Sequence, residues 1–243
     1  RPLAPIYPFV FMDCIHYKVR EDGRILSRAV YVVLGVTTEG YKDILSITVG
    51  ANETSKFWLG MLNDLKNRGV KDVLFFCVDG LAGFKEAISA VYPLAQIQRC
   101  VIHMLRNSFK YVNYSDLKKF SSDFKAVYNA PNETAAYSEL EGIREKWGRK
   151  YPYAISNWEN NWEDVSSFFQ FSFSEEIRRI MYTTNIIEAL NHQYRKVTKT
   201  KSVFPNDQSL EKMLYLASEN IIKKWTQRYR GWDQVLNQLI VLY

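Results

Sequence analysis

The feature that most constrains the fold is an uninterrupted apolar segment, Val73–Val78, which is followed at once by Asp79 and Gly80. A strand with one solvated face alternates apolar and polar residues, whereas an unbroken run of this length is typical of a strand covered on both faces. The sequence therefore predicts a central strand of an α/β sheet. No run approaches the 18 apolar residues of a membrane span, so we expect no membrane partner.

Further strand and helix patterns surround this segment in the first hundred residues. Three apolar and β-branched segments joined by short turns predict an antiparallel meander, and two segments show helical periodicity. The predicted strands are Phe9–Val19, Ile25–Thr37, Tyr41–Val49, Val73–Val78 and Ala95–Val101, and the predicted helices between them are Thr54–Arg68 and Phe84–Val91.

Strand patterns stop near Leu105, after which the chain is predicted to be helical. Tyr114–Tyr128 and Asn132–Trp147 are amphipathic, and residues 151–182 are rich in tryptophan and phenylalanine. We therefore expect residues 1–105 and 183–243 to form one α/β core, with residues 106–182 as an all-helical insertion. In the C-terminal part, helices are predicted over residues 185–198 and 208–239.

Three carboxylates stand out as candidates for chemistry. Asp13 lies within an otherwise apolar strand, where an ionised group is costly unless it is paired or binds a metal. Asp79 ends a buried strand, the position where ligands collect in open α/β sheets. Each has a simpler alternative, since Asp79-Gly80 is a common turn dipeptide and Asp13 could pair with a buried arginine.

The third candidate is Glu188, near the start of a predicted helix. Helical geometry at about 100° per residue places an apolar face opposite a second face on which Glu188 heads a basic stripe. The apolar face holds Ile187, Leu190, Tyr194 and Val197, and the other face holds Glu188, His192, Arg195 and Lys199. The alternative is a capping box, because Asn185 and Glu188 have its spacing.

Two strand aspartates and a helix glutamate suit hard, oxygen-seeking cations such as Mg²⁺ or Mn²⁺. Two such ions promote phosphoryl transfer. On a five-stranded mixed sheet, this pattern suggests a ribonuclease H-like nuclease core with the helical insertion before the helix that carries the third carboxylate.

Charge and cysteine content set further limits. The net charge of +6 and pI near 9 permit a nucleic-acid partner, and residues 183–243 hold nine Lys/Arg against five Asp/Glu. Three cysteines argue against a disulfide scaffold and favour a reducing compartment. Cys100 and His103 do not make the four-ligand set of a structural zinc site, so we do not expect zinc.

Four segments resemble the catalytic domain of Mutator-type transposases, including the prokaryotic insertion-sequence branch, and the resemblance covers nearly the whole chain. They are Phe11-Met-Asp13-Cys-Ile-His-Tyr-Lys-Val-Arg20, Val78-Asp79-Gly80-Leu-Ala-Gly-Phe, Gln98-Arg-Cys100-Val-Ile-His103-Met-Leu-Arg-Asn107 and Tyr182-Thr-Thr-Asn185-Ile-Ile-Glu188-Ala-Leu-Asn-His-Gln-Tyr-Arg195-Lys196.

This resemblance implies that Asp13, Asp79 and Glu188 form a DDE triad that holds Mg²⁺ or Mn²⁺, with two ions expected. It also implies DNA cleavage and strand transfer at the terminal inverted repeats of a mobile element. Family members normally carry an N-terminal DNA-binding region, so we expect this chain to be a catalytic core that acts with one. A homodimer is expected because two element ends must be brought together, and the prokaryotic branch implies a cytoplasmic protein.

The resemblance, together with the charge pattern, also gives a set of expected DNA contacts. These are Arg99, His103, Arg106, His192, Arg195, Lys196, Lys199 and Lys201. Trp158 and Trp162 share a helix face, where they either stack on an unpaired base or pack in the core of the insertion. Two rival functions stay open: a ribonuclease H-like nuclease or resolvase without strand transfer, and a domesticated DNA-binding protein without catalysis.

Overall fold

A computed structural model describes residues 1–50, 55–80, 83–170, 173–183 and 185–242. Its sheet has the strand order β3-β2-β1-β4-β5, with β1 antiparallel to β2, β2 antiparallel to β3, and β1 parallel to β4. This is the five-stranded mixed sheet of an α/β fold that the sequence predicted. The strands are β1 (Ile6–Glu21), β2 (Arg24–Val36), β3 (Lys42–Gly50), β4 (Asp72–Val78) and β5 (Gln96–Arg99).

Helices make up most of the remaining described chain. In chain order they are α1 (Ser55–Asn67), α2 (Phe84–Val91), α3 (Val101–Ser108), α4 (Leu117–Tyr128), α5 (Glu133–Trp147), α6 (Pro152–Glu159), α7 (Trp162–Ser166), α8 (Glu175–Tyr182), α9 (Asn185–Thr198), α10 (Asp207–Ile222) and α11 (Trp232–Leu242). No helix in the described part of the chain is long and apolar enough to cross a membrane.

The chain divides into two compact units. The first comprises residues 1–97 and 184–243, and the second comprises residues 98–183. Each unit has its own apolar core.

In the first unit, helices cover both faces of the sheet. One face packs on α1 and α2 through a cluster that includes Val10, Met12 and Phe76 from the sheet and Trp58 from α1. On the other face, Phe9 contacts Trp232 of α11 edge-on, with 6.2 Å between ring centroids. Burying a large apolar side chain contributes roughly 1.5–3 kcal/mol, so these two layers account for much of the stability of this unit.

The second unit is helical and has an aromatic core. Phe124 packs against the fully buried Trp158, whose ring centroid lies 4.5 Å away. The Trp158 indole N–H donates a hydrogen bond to Ser108 Oγ at 2.9 Å, so its polar atom is satisfied within the core. Helix α5 begins where the sequence predicts, because the Asn132 side chain accepts a hydrogen bond from the Ala135 amide at 2.9 Å.

One strand prediction is partly wrong. The segment Ala95–Val101 was expected to be extended throughout, but β5 ends at Arg99 and α3 begins at Val101. The Cys100 sulfur accepts a hydrogen bond from the His103 amide at 3.4 Å and so caps this helix. Cysteine is not a usual capping residue, so the start of this helix was not predicted from the residue types. Thr54, predicted to begin the first helix, lies outside the described residues.

Candidate active site

Asp13 and Asp79 are brought together by the register of two neighbouring parallel strands. Met12 pairs with Val78 in the β1–β4 ladder, so the next residue of each strand is one of the two aspartates. Parallel strands lie about 4.8 Å apart, and residues at matching positions project to the same side. The backbone therefore places the two carboxylates side by side, on one face of the sheet.

The packing of nearby aromatic rings identifies that face. Phe9 and Phe75 stand four residues before Asp13 and Asp79, and their rings stack with centroids 5.5 Å apart. Because side chains alternate along a strand, residues four apart project to the same side. The aspartates thus lie on the face that α11 covers through Trp232, opposite the face covered by α1 and α2.

Both oxygens of the Asp13 carboxylate accept hydrogen bonds. Oδ1 accepts from the Cys14 amide at 2.8 Å, and Oδ2 accepts from the side-chain amide of Asn191 at 2.5 Å. Asn191 lies on α9 and is buried, with 3% of its surface exposed. Asn191 was not among the candidates predicted from the sequence, although a polar residue within the apolar stripe of a helix can indicate a functional position.

Asp79 is half-buried at the end of β4, and its Oδ1 is fully buried. Gly80 follows with φ at +72°, in the left-handed region that glycine adopts without steric cost. This backbone conformation is compatible with the turn of the simpler interpretation. Asp79 directly follows the last residue of β4, so the carboxylate lies at the strand end in either interpretation.

Glu188 is half-buried on α9, at the flank of the face that packs on the sheet. It precedes Asn191 by three residues, so the two side chains share one side of the helix. The buried positions of α9 are Ile187, Leu190, Asn191, Tyr194 and Thr198. The predicted apolar face was wrong at Val197, which is 47% exposed, because the helical repeat of 3.6 residues brings Thr198 inward instead.

The structure bears on the simpler interpretations of both Asp13 and Glu188. The hydrogen-bond partner of Asp13 on α9 is an asparagine, while the buried Arg28 pairs with Glu21 and Asp207. Helix α9 already includes Asn185, which places that residue inside the helix and not at the cap position that a capping box requires.

The three candidate carboxylates fit a hard divalent cation, since carboxylate oxygens are the ligands that Mg²⁺ and Mn²⁺ prefer. Two of the donors, Asp13 and Asp79, are adjacent by strand register. Among the residues that the structure describes, no three His, Cys, Asp or Glu side chains are gathered as ligands around one point.

The predicted DNA contacts on α9 are divided between two sides of the helix. His192 and Arg195 follow Glu188 at intervals that keep them on its side, and Lys199 directly follows the last residue of α9. Lys196 and the following Lys201 instead line a groove of about 790 Å³ between α9 and α10. All five side chains are exposed. The sequence had grouped them as one basic region, because the position of α10 was not known.

The groove adds two lysines that the sequence analysis did not single out. Lys212 of α10 and Lys224, two residues after that helix, line it together with Lys196 and Lys201, over an apolar floor that includes Val197. No acidic residue is among the described residues of its lining. The groove is therefore a concentrated site of positive charge on the first unit.

Arg195 lies within electrostatic range of Tyr17, a residue of β1. Burial raises the pKa of Tyr17, which lies four residues after Asp13 on β1, while the hydroxyl of Thr198 and the positive charge of Arg195 act in the opposite direction. An arginine that affects this phenol lies close to β1. Helix α9 thus carries a cation beside the strand that bears the first carboxylate.

The remaining predicted contacts belong to the second unit. Arg99 is half-buried and donates a hydrogen bond to the side chain of Asn161. His103 is half-buried on α3, and Arg106 is exposed on the same helix. Cys100 is fully buried, in the position that caps α3, so its sulfur has a structural role there.

The two tryptophans differ in their surroundings. Trp158 is fully buried and hydrogen-bonded within the core, which favours the packing role over base stacking. Trp162 is half-buried, and its indole N–H donates to Glu133 Oε1 at 3.1 Å. Well-exposed aromatic rings of this unit are instead tyrosines, with Tyr114 at 92% and Tyr153 at 72% exposure.

Comparison with known proteins gives one consistent result. A family model described as "Transposase, Mutator family" matches residues 1–228. A transposase for insertion sequence element ISRM3 of Rhizobium meliloti (strain 1021) is 42% identical over 244 residues. A probable transposase for an insertion sequence element of Corynebacterium diphtheriae is 36% identical over 263 residues, and these matches cover 100% of this chain.

The chain is shorter than these relatives. The match spans 60% of the length of the Rhizobium protein and 76% of that of the Corynebacterium protein. A match to a solved structure, a simian T-cell lymphotropic virus intasome in complex with a PP2A regulatory subunit, covers 66% of this chain and 50% of the matched chain. The two chains are 15% identical in sequence, and their TM-score is 0.29.

Proposed function

This chain belongs to the Mutator family of transposases, and from that membership we propose that it is the catalytic core of a DNA transposase. It cleaves DNA at the terminal inverted repeats of an insertion-sequence element and joins the freed ends to target DNA. The observation that carries the catalytic assignment is the register of β1 and β4, which sets Asp13 beside Asp79.

The proposed metal ligands are Asp13, Asp79 and Glu188. When bound, Mg²⁺ or Mn²⁺ supplies Lewis-acid chemistry that activates an attacking oxygen and stabilises the leaving oxygen in phosphoryl transfer. Asp13 within β1 and Asp79 at the end of β4 would hold the cations, and Glu188 would complete the ligand set from α9. His192 and Arg195 share the Glu188 side of α9, and Lys199 directly follows the helix, which supports a role for the three in holding the DNA backbone at the site.

The groove between α9 and α10 supports a second DNA contact. Lys196, Lys201, Lys212 and Lys224 bring four positive charges to one surface, and phosphate contacts of this kind position DNA without reading its sequence. We propose that a DNA backbone passes along this groove. Arg99, His103 and Arg106 are retained as proposed DNA contacts of the second unit, and Trp162 as a proposed stacking residue.

Cleavage and joining assays test the catalytic proposal. The substrates are labelled duplexes that carry the inverted repeats flanking the gene for this chain, incubated with MgCl₂ or MnCl₂. The proteins are the wild type, Asp79→Asn, Glu188→Gln and the control Asp72→Asn, which removes a half-buried carboxylate from the opposite end of β4. A family-matched DNA-binding domain fused to the N-terminus delivers each protein to the substrate.

We expect metal-dependent joined products from the wild type and from Asp72→Asn, and none from the two site variants. Equal activity in all four proteins would contradict the assignment of the carboxylates. Cleavage without joining would favour the nuclease alternative, and DNA binding without cleavage would favour the non-catalytic alternative. Sedimentation of the complex with two element ends tests the proposed homodimer.

A further inference from the structure

The side chain of Asn191 is an unusual occupant of its position. It is 3% exposed, among the apolar Ile187, Leu190 and Tyr194 on the buried face of α9. Its Oδ1 is buried and has no hydrogen-bond partner among the described residues. A buried amide oxygen without a partner is destabilising, so an apolar residue would stabilise this helix interface better. Packing alone does not explain an asparagine here.

The other half of the amide has a specific partner. Nδ2 donates a 2.5 Å hydrogen bond to Oδ2 of Asp13, across the contact between α9 and β1. Because the Cys14 amide holds Oδ1 at 2.8 Å, the carboxylate is fixed at both oxygens. An ionised carboxylate has about four acceptor positions, so a carboxylate can accept hydrogen bonds such as these and bind a cation at the same time.

Asn191 also connects two of the proposed ligands. Glu188 lies three residues earlier on the same side of α9, and Asp13 lies on β1. A hydrogen bond from α9 to the Asp13 carboxylate therefore sets the position of the helix that carries Glu188 relative to the strand that carries Asp13. Movement of α9 along β1 would break this bond and displace Glu188 at the same time.

We propose that Asn191 is a positioning residue, which holds the Asp13 carboxylate and α9 in the arrangement that binds the divalent cation. This inference rests on the proposed metal-binding function of Asp13, Asp79 and Glu188. Hydrogen-bond partners of ligating carboxylates orient their ligands, and removing one typically costs 10- to 100-fold in metal affinity or activity. The expected effect is therefore on cation affinity more than on folding.

Calorimetric titration with MnCl₂ in the absence of DNA tests the proposal without an activity assay. The proteins are the wild type, Asn191→Leu, Asn191→Ala and Asp79→Asn. Asn191→Leu keeps the branched side-chain shape, with larger terminal groups, and removes both the bond to Asp13 and the buried oxygen. The control Ser218→Ala removes a buried 2.8 Å hydrogen bond between α9 and α10, with Tyr194 as its partner. Thermal unfolding in EDTA reports the stability of each protein.

We expect Mn²⁺ to bind Asn191→Leu and Asn191→Ala at least tenfold more weakly than the wild type, and Ser218→Ala as tightly as the wild type. The midpoint in EDTA should be unchanged or higher for Asn191→Leu and lower for Ser218→Ala. Unchanged Mn²⁺ affinity in both Asn191 variants, with Asp79→Asn still defective, would overturn the positioning role and leave the metal site standing. If the wild type and Asp79→Asn bind Mn²⁺ alike, the proposed metal site fails, and the role of Asn191 fails with it.

Discussion

The rings of Phe9 and Phe75 stack with centroids 5.5 Å apart, four residues before the two aspartates on their respective strands. This contact lies in the same sheet face as Asp13 and Asp79 and joins the two strands that carry them. The core of the first unit and its candidate site are therefore built on one pair of parallel strands. Loss of the stack affects the layer that supports both carboxylates.

Truncation of this stack should be strongly destabilising. Phe75 is fully buried, so Phe75→Ala leaves a cavity and lowers the free energy of unfolding by about 3–5 kcal/mol. Phe75→Leu keeps more of the apolar volume and should cost less. Urea unfolding followed by circular dichroism measures both. Tyr215→Ala removes a ring that is 63% exposed and should change stability by about 0.5 kcal/mol or less. Comparable losses in the free energy of unfolding for Tyr215→Ala and Phe75→Ala would contradict the structural role of the Phe9–Phe75 stack.

A second prediction concerns the turn between β2 and β3. Gly40 has φ at +88°, and a Cβ at this residue would overlap the indole ring of Trp232. Trp232 is held there by a 2.9 Å hydrogen bond from its N–H to the Thr38 carbonyl. Gly40→Ala therefore combines backbone strain with a steric clash and should lower the free energy of unfolding by about 2 kcal/mol or more.

The matched control for Gly40 is Gly60 on α1, where an added Cβ meets nothing within 4 Å. Gly60→Ala should raise the free energy of unfolding by about 0.5–1 kcal/mol, since alanine is the better helix former. Thermal unfolding of the two variants compares them directly. Similar stability in both would show that the Trp232 contact does not constrain the turn.

The groove lysines give a prediction about salt dependence. Lys196 and Lys212 line the groove from two helices, so replacing both by alanine should remove two phosphate contacts. The slope of log affinity against log salt is negative, and its magnitude should decrease by about 0.9 for each lysine removed. Fluorescence anisotropy with a labelled duplex at several KCl concentrations measures the slope.

Lys71 provides the control for this experiment. It is exposed, and it immediately precedes β4 at the end of the strand opposite Asp79. Lys71→Ala should leave both affinity and slope near their wild-type values. An unchanged slope for the Lys196 and Lys212 double variant would show that DNA does not follow the groove.

The second unit has a predicted pH dependence at Asp123. Burial alone raises the pKa of this carboxyl, but hydrogen bonds from Lys146 and Trp147 outweigh it and hold the pKa below its ordinary value. A group with a depressed folded-state pKa stabilises the protein above its unfolded pKa, and this contribution is lost as the pH falls through the folded pKa. The stabilisation by Asp123 is thus complete near pH 6 and declines below about pH 4.

Urea unfolding of the wild type and Asp123→Asn at pH values from 3 to 7 measures this contribution. The stability difference should be roughly 1 kcal/mol at pH 6 and should shrink towards pH 3. Glu139→Gln, which changes an exposed carboxylate on the helix that carries Trp147, should show no comparable trend. A difference that stays constant from pH 6 to pH 3 would contradict the assigned role of Asp123.

The sequence by itself determined most of the strands and helices of this protein and singled out two strand aspartates as candidates for chemistry. Val73–Val78 had to be a covered strand because its side chains are apolar on both faces, and Asp13 and Asp79 were conspicuous because each ends or interrupts such a segment. Periodicity likewise gave α9 its bounds, Asn185–Thr198, and placed Glu188 away from its apolar face. These features depend on local patterns along one strand or helix.

Only the tertiary structure decided which side chains meet. The bond between Asn191 and Asp13 joins residues 178 positions apart, and the division of the basic residues of α9 depends on where α10 packs. The start of α3 depended on a cysteine sulfur that accepts a backbone hydrogen bond. Such contacts arise from the packing of whole helices and strands, for which the periodicity of a single segment carries no information.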